Sequence, residues 1–208
     1  MKVKICGITD ENSAIAAVAF GADALGFVFA ESKRYVKPET AQAIVAQVPK
    51  DVLKVGVFVN ETKDKIEEIA EMVGLTHIQL HGDESPEFCE SIRLPVIKAM
   101  SIEDDDSPLP IETFPSNYIL LDGPKGKYRG GNGLAFNWRT VNSEYFKDKK
   151  LILAGGLDIE NIDTAIRLVN PYMVDVSSGV ETHGVKDLKK IETFIKKAKA
   201  SRTGGIIE

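Results

Sequence analysis

The stretch Leu151-Ile152-Leu153-Ala154-Gly155-Gly156-Leu157, a helical stripe of Ile162, Ile166 and Val169, Pro171, and then Met173-Val174-Asp175-Val176-Ser177-Ser178-Gly179-Val180 decides the fold. It reads as an apolar strand, a glycine turn, an amphipathic helix that Asp158 can open and Pro171 stops, and a second strand with its own glycine turn. Apolar residues at consecutive positions suit strands covered on both faces, as in a parallel sheet.

Working outward, similar apolar runs stand at residues 3–8, 24–29, 53–59, 77–81, 95–100 and 118–122. With the two above they make eight, recurring about every 26 residues, the length of one compact strand–helix unit. Asn60 can cap a helix whose stripe is Ile66, Ile69, Ala70 and Val73, and Gly74 then ends it. Asp187 can cap the last helix, with Leu188, Ile191, Ile195 and Ala198 inward and lysines outward. The unit over residues 102–115, with three prolines and an acidic run at 103–106, leaves room only for a short irregular helix. Eight even alternations predict a single-domain α/β fold over residues 1–200, a closed (β/α)8 barrel of eight parallel strands with outer helices, and a frayed tail at 201–208. A doubly wound open sheet competes, but it usually needs fewer strands.

The 208 residues carry 26 Lys+Arg against 31 Asp+Glu, a formal net charge of -5, which argues against nucleic acid or an anionic membrane as partner. With 43% hydrophobic and 27% charged residues the composition is that of a globular domain rather than a disordered one. Two cysteines, Cys6 and Cys89, cannot staple such a chain, so reduced thiols and a cytoplasmic setting are expected. No apolar run approaches the roughly 18 residues of a membrane span. The histidines show no zinc spacing, and no nucleotide-binding glycine motif occurs, so neither metal nor cofactor is expected.

In such a barrel the site lies at the C-terminal ends of the strands. Cys6, His81, Asp122 and Asp175 all fall at or near those ends. Strand alternation groups Cys6 with Lys4 and Asp122 with Leu120, so each can point inward. The turns Ala154-Gly155-Gly156-Leu157 and Ser177-Ser178-Gly179-Val180 follow the last two strands, where barrels bind phosphate on backbone N–H groups and a helix N-terminus. Either Ser177 or Ser178 can add a hydroxyl. Gly130, Gly131 and Gly133 end a long loop after Asp122 that reads as a water-excluding lid. Arg34, after the second strand, can hold a carboxylate by a forked contact, or can be a solvated surface residue. Cys89, beside Phe88 and Ile92, reads as core.

These residues resemble the signatures of the phosphoribosylanthranilate isomerase family, in order and over nearly the whole chain. The segments are Lys4-Ile5-Cys6-Gly7-Ile8-Thr9, Gly26-Phe27-Val28-Phe29, Val55-Gly56-Val57-Phe58-Val59-Asn60, Gln79-Leu80-His81-Gly82, Gly130-Gly131-Asn132-Gly133, Leu153-Ala154-Gly155-Gly156-Leu157 and Val174-Asp175-Val176-Ser177-Ser178-Gly179-Val180-Glu181. The resemblance implies a cofactor-free Amadori rearrangement of N-(5-phosphoribosyl)anthranilate in tryptophan biosynthesis. It implies Cys6 as general base at the sugar C2, Asp122 as general acid at the ring oxygen, and Arg34 on the anthranilate carboxylate. Gly155, Gly156, Ser178 and Gly179 would hold the phosphate, while His81 and Asp175 match motif positions without settled roles. The chain departs from the family at Asn132, often threonine, and at Lys33, often proline; both lie in loops.

Chemistry adds two expectations. A free aspartate titrates at about 3.9 and a free thiol at about 8.5, so neither suits its task unperturbed near neutral pH. Asp122 is therefore expected to be desolvated with a raised pKa, and the Cys6 thiolate to be favoured by a nearby cation, with Lys4 the candidate. The expected partner is a phosphorylated small molecule, and a monomer is favoured over a homodimer. Rivals are another sugar-phosphate barrel enzyme, such as a metal-dependent epimerase or an indole-forming synthase, and a non-catalytic phospho-ligand binder. Scattered histidines fit the epimerase poorly, cysteine and aspartate stand where the synthase would want lysine and glutamate, and a binder does not need Cys6 with Asp122.

Overall fold

The computed structural model describes residues 1–102, 111–123, 138, 141 and 143–201. The proposed lid glycines Gly130, Gly131 and Gly133, the acidic run at 103–106 and residues 202–208 of the tail lie outside them.

Eight parallel strands close in chain order into a barrel: β1 (Lys2–Cys6), β2 (Ala24–Val28), β3 (Leu53–Phe58), β4 (His77–Leu80), β5 (Val96–Ser101), β6 (Tyr118–Asp122), β7 (Lys150–Leu153) and β8 (Met173–Val176). The strand β8 pairs back to β1, with Lys4 opposite Asp175. The outer layer holds α1 (Glu11–Ala19), α2 (Pro38–Val45), α3 (Lys63–Val73), α4 (Pro86–Ser91), α5 (Ile162–Val169) and α6 (Leu188–Ala200). A two-stranded hairpin, β9 (Glu181–Thr182) with β10 (Val185–Lys186), follows β8. Between β5 and β6 the described residues contain one short 3-10 turn, Ile111–Thr113, as the prolines require.

Period-two alternation divides the strands between two cores. Outward residues such as Val3, Ile5, Leu25, Phe27, Ile78, Leu80, Val174 and Val176 pack with helix faces, including Ile66 and Ile69 of α3 and Ile191 and Phe194 of α6. Each large side chain so buried contributes about 1.5–3 kcal/mol. Inward residues Ala24, Val55, Ile97, Ala99, Leu120, Ile152, Ala154 and Met173 fill the barrel itself. Its N-terminal end is closed by Tyr118 and Tyr172, with Lys150 Nζ 4.8 Å and 5.2 Å from their ring centroids.

The helix punctuation differs from expectation in two places. Thr62, not Asn60, caps α3, its side chain accepting from the Lys65 N–H. Asn60 instead adopts a left-handed backbone, φ 51°, and its side chain accepts the Asp83 N–H at 2.7 Å, tying the β3 loop to the β4 loop. Asn161 occupies the N-cap of α5, while Asp158 accepts the N–H groups of Glu160 and Asn161 in the preceding turn. Gly74 ends α3 at φ 77°, and Asp187 caps α6 by accepting from Lys189 and Lys190, both as expected. Ser201 is the C-cap of α6, its N–H donating to the Lys197 carbonyl at 3.0 Å.

Candidate active site

A cavity of about 780 Å³ opens at the C-terminal ends of the strands. Cys6, Arg34, His81, Asp122, Gly155, Gly156, Asp175, Ser177 and Ser178 all line it. Gly179 lies just behind, because Asp158 and Gly179 form a bridge that draws the two glycine turns together. A Cβ on Gly179 would run into the Leu157 carbonyl, so only glycine permits this approach. No helix opens on the second turn. The chain goes directly into the β9–β10 hairpin, so the expected helix N-terminus is replaced there by backbone alone.

Asp122 ends β6 and is 7% exposed. Its Oδ1 accepts the Gly123 N–H at 2.8 Å. Its Oδ2 stands 3.4 Å from His81 Nε2, which has no hydrogen-bond partner among the described residues. His81 is oriented from behind, its Nδ1 3.1 Å from Gln79 Nε2. Gln79 Oε1 and Asp175 Oδ1 are likewise buried without partners among the described residues, and both side chains line the cavity. Three such atoms around one cavity are costly unless a polar ligand satisfies them.

Cys6 ends β1 above Lys4, which is wholly buried and donates to Asp175 Oδ2 at 2.9 Å. Burial would strip the Lys4 proton, but Asp175 and Cys6 together hold it above the ordinary lysine range. Lys4 does favour the Cys6 thiolate, as expected. Burial nevertheless outweighs that pull, aided by the Asp175 charge, and the thiol sits above its usual value. The cation identified from strand parity is in place, but desolvation decides the net direction.

Lys4→Met therefore has two expected effects. It leaves Asp175 buried and unpaired, a loss of about 3–5 kcal/mol read by chemical denaturation. It also removes a charge that lowers the thiol's pKa, so the rising limb of the pH–rate profile moves to higher pH. An unmoved limb would take Lys4 out of the account. Gly26, opposite Cys6 in β2, makes a second point: a Cβ there would stand 2.7 Å from Cys6 Sγ and 3.1 Å from both Cys6 Cα and Lys4 Nζ. Gly26→Ala is expected to shift the thiol by a fraction of an ångström and to lower kcat/KM roughly tenfold or more, with a modest fall in Tm. Unchanged kinetics would show that the thiol's position is not critical.

Ser177, one of the two serines expected to offer a hydroxyl, lines the cavity with its O–H already engaged. Its Oγ donates to the Cys6 carbonyl at 3.1 Å and lies 3.3 Å from Lys186 Nζ. Arg34 carries its fork on Glu181, with Nε to Oε1 at 2.7 Å and Nη2 to Oε2 at 3.0 Å. Asp175 lines the cavity and pairs through Oδ2 with Lys4. Sequence reasoning missed Gln79, Glu181 and Lys186. The parity of Gln79 with His81 was a usable signal; the pairing of Arg34 with a residue 147 positions away was not. Cys89 is buried, as read. Among the described residues no group of His, Cys, Asp and Glu is placed to hold a metal ion, and no helix is long and apolar enough to cross a membrane.

A family model described as N-(5'phosphoribosyl)anthranilate (PRA) isomerase matches residues 3–197. The chain is 53% identical over 200 residues to the N-(5'-phosphoribosyl)anthranilate isomerase of Bacillus mycoides (strain KBAB4), covering 96% of this chain and 98% of that one. It is similar to a structure of monomers derived from the dimeric phosphoribosylanthranilate isomerase of Thermotoga maritima, at 42% identity and TM-score 0.82, covering 96% and 99%. A third likeness, at 41% identity, TM-score 0.81 and the same coverage, is to a phosphoribosyl anthranilate isomerase in complex with reduced 1-(o-carboxyphenylamino)-1-deoxyribulose 5-phosphate.

Proposed function

Because the chain belongs to the N-(5'-phosphoribosyl)anthranilate isomerase family, we propose that Asp122 and Cys6 are the acid and the base of its reaction. The protein is an aldose–ketose isomerase of tryptophan biosynthesis, converting N-(5-phosphoribosyl)anthranilate into 1-(2-carboxyphenylamino)-1-deoxyribulose 5-phosphate. Asp122 gives its proton to the furanose ring oxygen as the C1–O bond breaks and the amine nitrogen becomes an iminium. Cys6 takes the C2 proton, the C2–H electrons form a C1–C2 double bond, and the iminium is neutralised to an enolamine. Tautomerisation to the ketone completes a redox-neutral rearrangement, which calls for no cofactor.

The observation that carries this reading is that both groups open into one cavity from strands on different sides of the barrel, β1 and β6, with both glycine turns at its rim. That geometry supports an acid and a base acting on different atoms of one substrate. The iminium is itself a cation beside the thiol and offsets the burial that raises Cys6. The turns at Gly155-Gly156 and Ser178-Gly179 take the phosphate on backbone N–H groups. Arg34 takes the anthranilate carboxylate, while His81 and the free oxygen of Asp175 meet the sugar hydroxyls.

We further place the enzyme in the cytoplasm, since both described cysteines are free thiols and suit a reducing compartment. A monomer is also proposed: the large exposed apolar side chains, among them Ile15, Met72, Tyr145 and Leu168, stem from separate elements. Residues 1–200 are proposed as one catalytic domain. The test of function is loss of the fluorescence of freshly generated phosphoribosylanthranilate on adding the protein. Turnover is expected. A folded wild type that binds a sugar phosphate yet leaves the fluorescence unchanged would overturn the reading in favour of a binder or another substrate.

A further inference from the structure

Beside the cavity mouth a buried carboxylate is shared by two cations. The Glu181 side chain, 8% exposed, receives both Arg34 contacts and also Lys186 Nζ at 2.7 Å. Burial alone would push its carboxyl up, but the bonds from Arg34 and Lys186 hold it below the usual carboxylate range. Lys186 in turn donates to the Ser177 carbonyl at 3.0 Å, and Lys190 Nζ fixes the Glu181 carbonyl at 2.8 Å. The carboxylate is thus anchored from the hairpin side whether or not Arg34 is present.

Arg34 is gripped at two points. Its stem crosses Gly7, where an added Cβ would stand 2.5 Å from Arg34 Cδ and 3.1 Å from Ser177 Oγ. Its guanidinium is bound along the Nε–Nη2 edge by Glu181. A guanidinium has five N–H donors in a rigid plane, so one edge can be held while the Nη1–Nη2 edge accepts a second carboxylate. Lys186 matters electrostatically as well: with it, the cluster carries one net positive charge toward an incoming anion, where Arg34 and Glu181 alone would be neutral.

We propose that Glu181 is a positioning residue for carboxylate recognition, holding Arg34 by its Nε–Nη2 edge so that the opposite edge takes the aromatic carboxylate of the substrate. This rests on Arg34 being the carboxylate-binding residue. Because Glu181 is tied through Lys186 to the Ser177 turn, it also links the carboxylate end of the site to the phosphate end. The opposing idea, that Glu181 is a stand-in the substrate must displace, predicts effects of the opposite sign.

The experiment measures calorimetric Kd values for reduced 1-(o-carboxyphenylamino)-1-deoxyribulose 5-phosphate and for its counterpart lacking the carboxyl. Wild type, Arg34→Met, Glu181→Gln and the double variant are compared. Glu181→Gln is expected to weaken the carboxylated ligand about five- to tenfold and to leave the other nearly unchanged, because a preoriented charged fork is lost. In the Arg34→Met background it is expected to add nothing. Tighter binding of the carboxylated ligand by Glu181→Gln would make Glu181 a competitor, and equal weakening of both ligands would make it merely structural; either overturns the proposal. If Arg34→Met still discriminates between the ligands, the reading of Arg34 fails first. If Arg34→Met loses discrimination and Glu181→Gln keeps it, only the proposal for Glu181 fails. A wild-type measurement guards against a variant that does not fold: the Arg34 Nε–H resonance is expected to stay protected from exchange when ligand binds, and its exposure on binding would overturn the proposal.

Discussion

Asp122→Asn is expected to lower kcat/KM at least about a hundredfold while the protein stays folded. The replacement keeps the shape of the side chain, and its amide oxygen can still accept the Gly123 N–H that Asp122 Oδ1 accepts at 2.8 Å. What it removes is a proton that can leave, and breaking the ring C–O bond without protonating the oxygen would expel an alkoxide. The loss is expected in kcat more than in KM, since nothing that holds phosphate or carboxylate is touched. Steady-state fluorescence assays with a Tm control check this. A loss under about tenfold in a folded variant would deny Asp122 the role of acid and turn attention to His81, 3.4 Å away.

Cys6→Ser and Cys6→Ala should each cost at least about a hundredfold as well, for a different reason. A serine hydroxyl is a far weaker acid than a thiol, so its conjugate base is scarcely available, and alanine offers none. Neither change breaks the Lys4–Asp175 pair, so stability should hold within about 0.5–1.5 kcal/mol. The pH profile carries the sharper test. A base acts only when deprotonated, and burial raises the Cys6 thiol above its ordinary value. The kcat/KM of the wild type should therefore rise with pH along a limb lying above the titration of a free thiol. Since kcat reports the complex, where the iminium cation faces the thiol, its limb should lie at lower pH than that of kcat/KM. Residual activity in Cys6→Ala should be flat across both limbs. A rising limb that survives in Cys6→Ala belongs to some other group and would remove Cys6 as base.

Much of this site was readable before any tertiary structure was known, because strand alternation is a local rule. Cys6 and Lys4 share a face of β1, as Asp122 and Leu120 share a face of β6, and both faces turned inward. Strands buried on both sides announce themselves as consecutive apolar residues, which is why eight were found with ends misjudged by only one or two positions. Helix caps fared worse where a side chain had a distant use. Asn60 has the right chemistry for a cap, but it serves Asp83 in the loop after the neighbouring strand, and Thr62 takes the cap instead.

The sequence by itself determined the alternation, the eight strands, the inward parity of Cys6 and Asp122, and the glycine turns where backbone must approach closely. Each of these follows from steric and apolar patterns within a few residues. Only the tertiary structure decided the ionisation of the thiol and the partner of each charge. Lys4 meets Asp175 across 171 residues and Arg34 meets Glu181 across 147. A proton's free energy depends on burial and on charges within a few ångströms, and closing the barrel brings together residues that the chain keeps far apart.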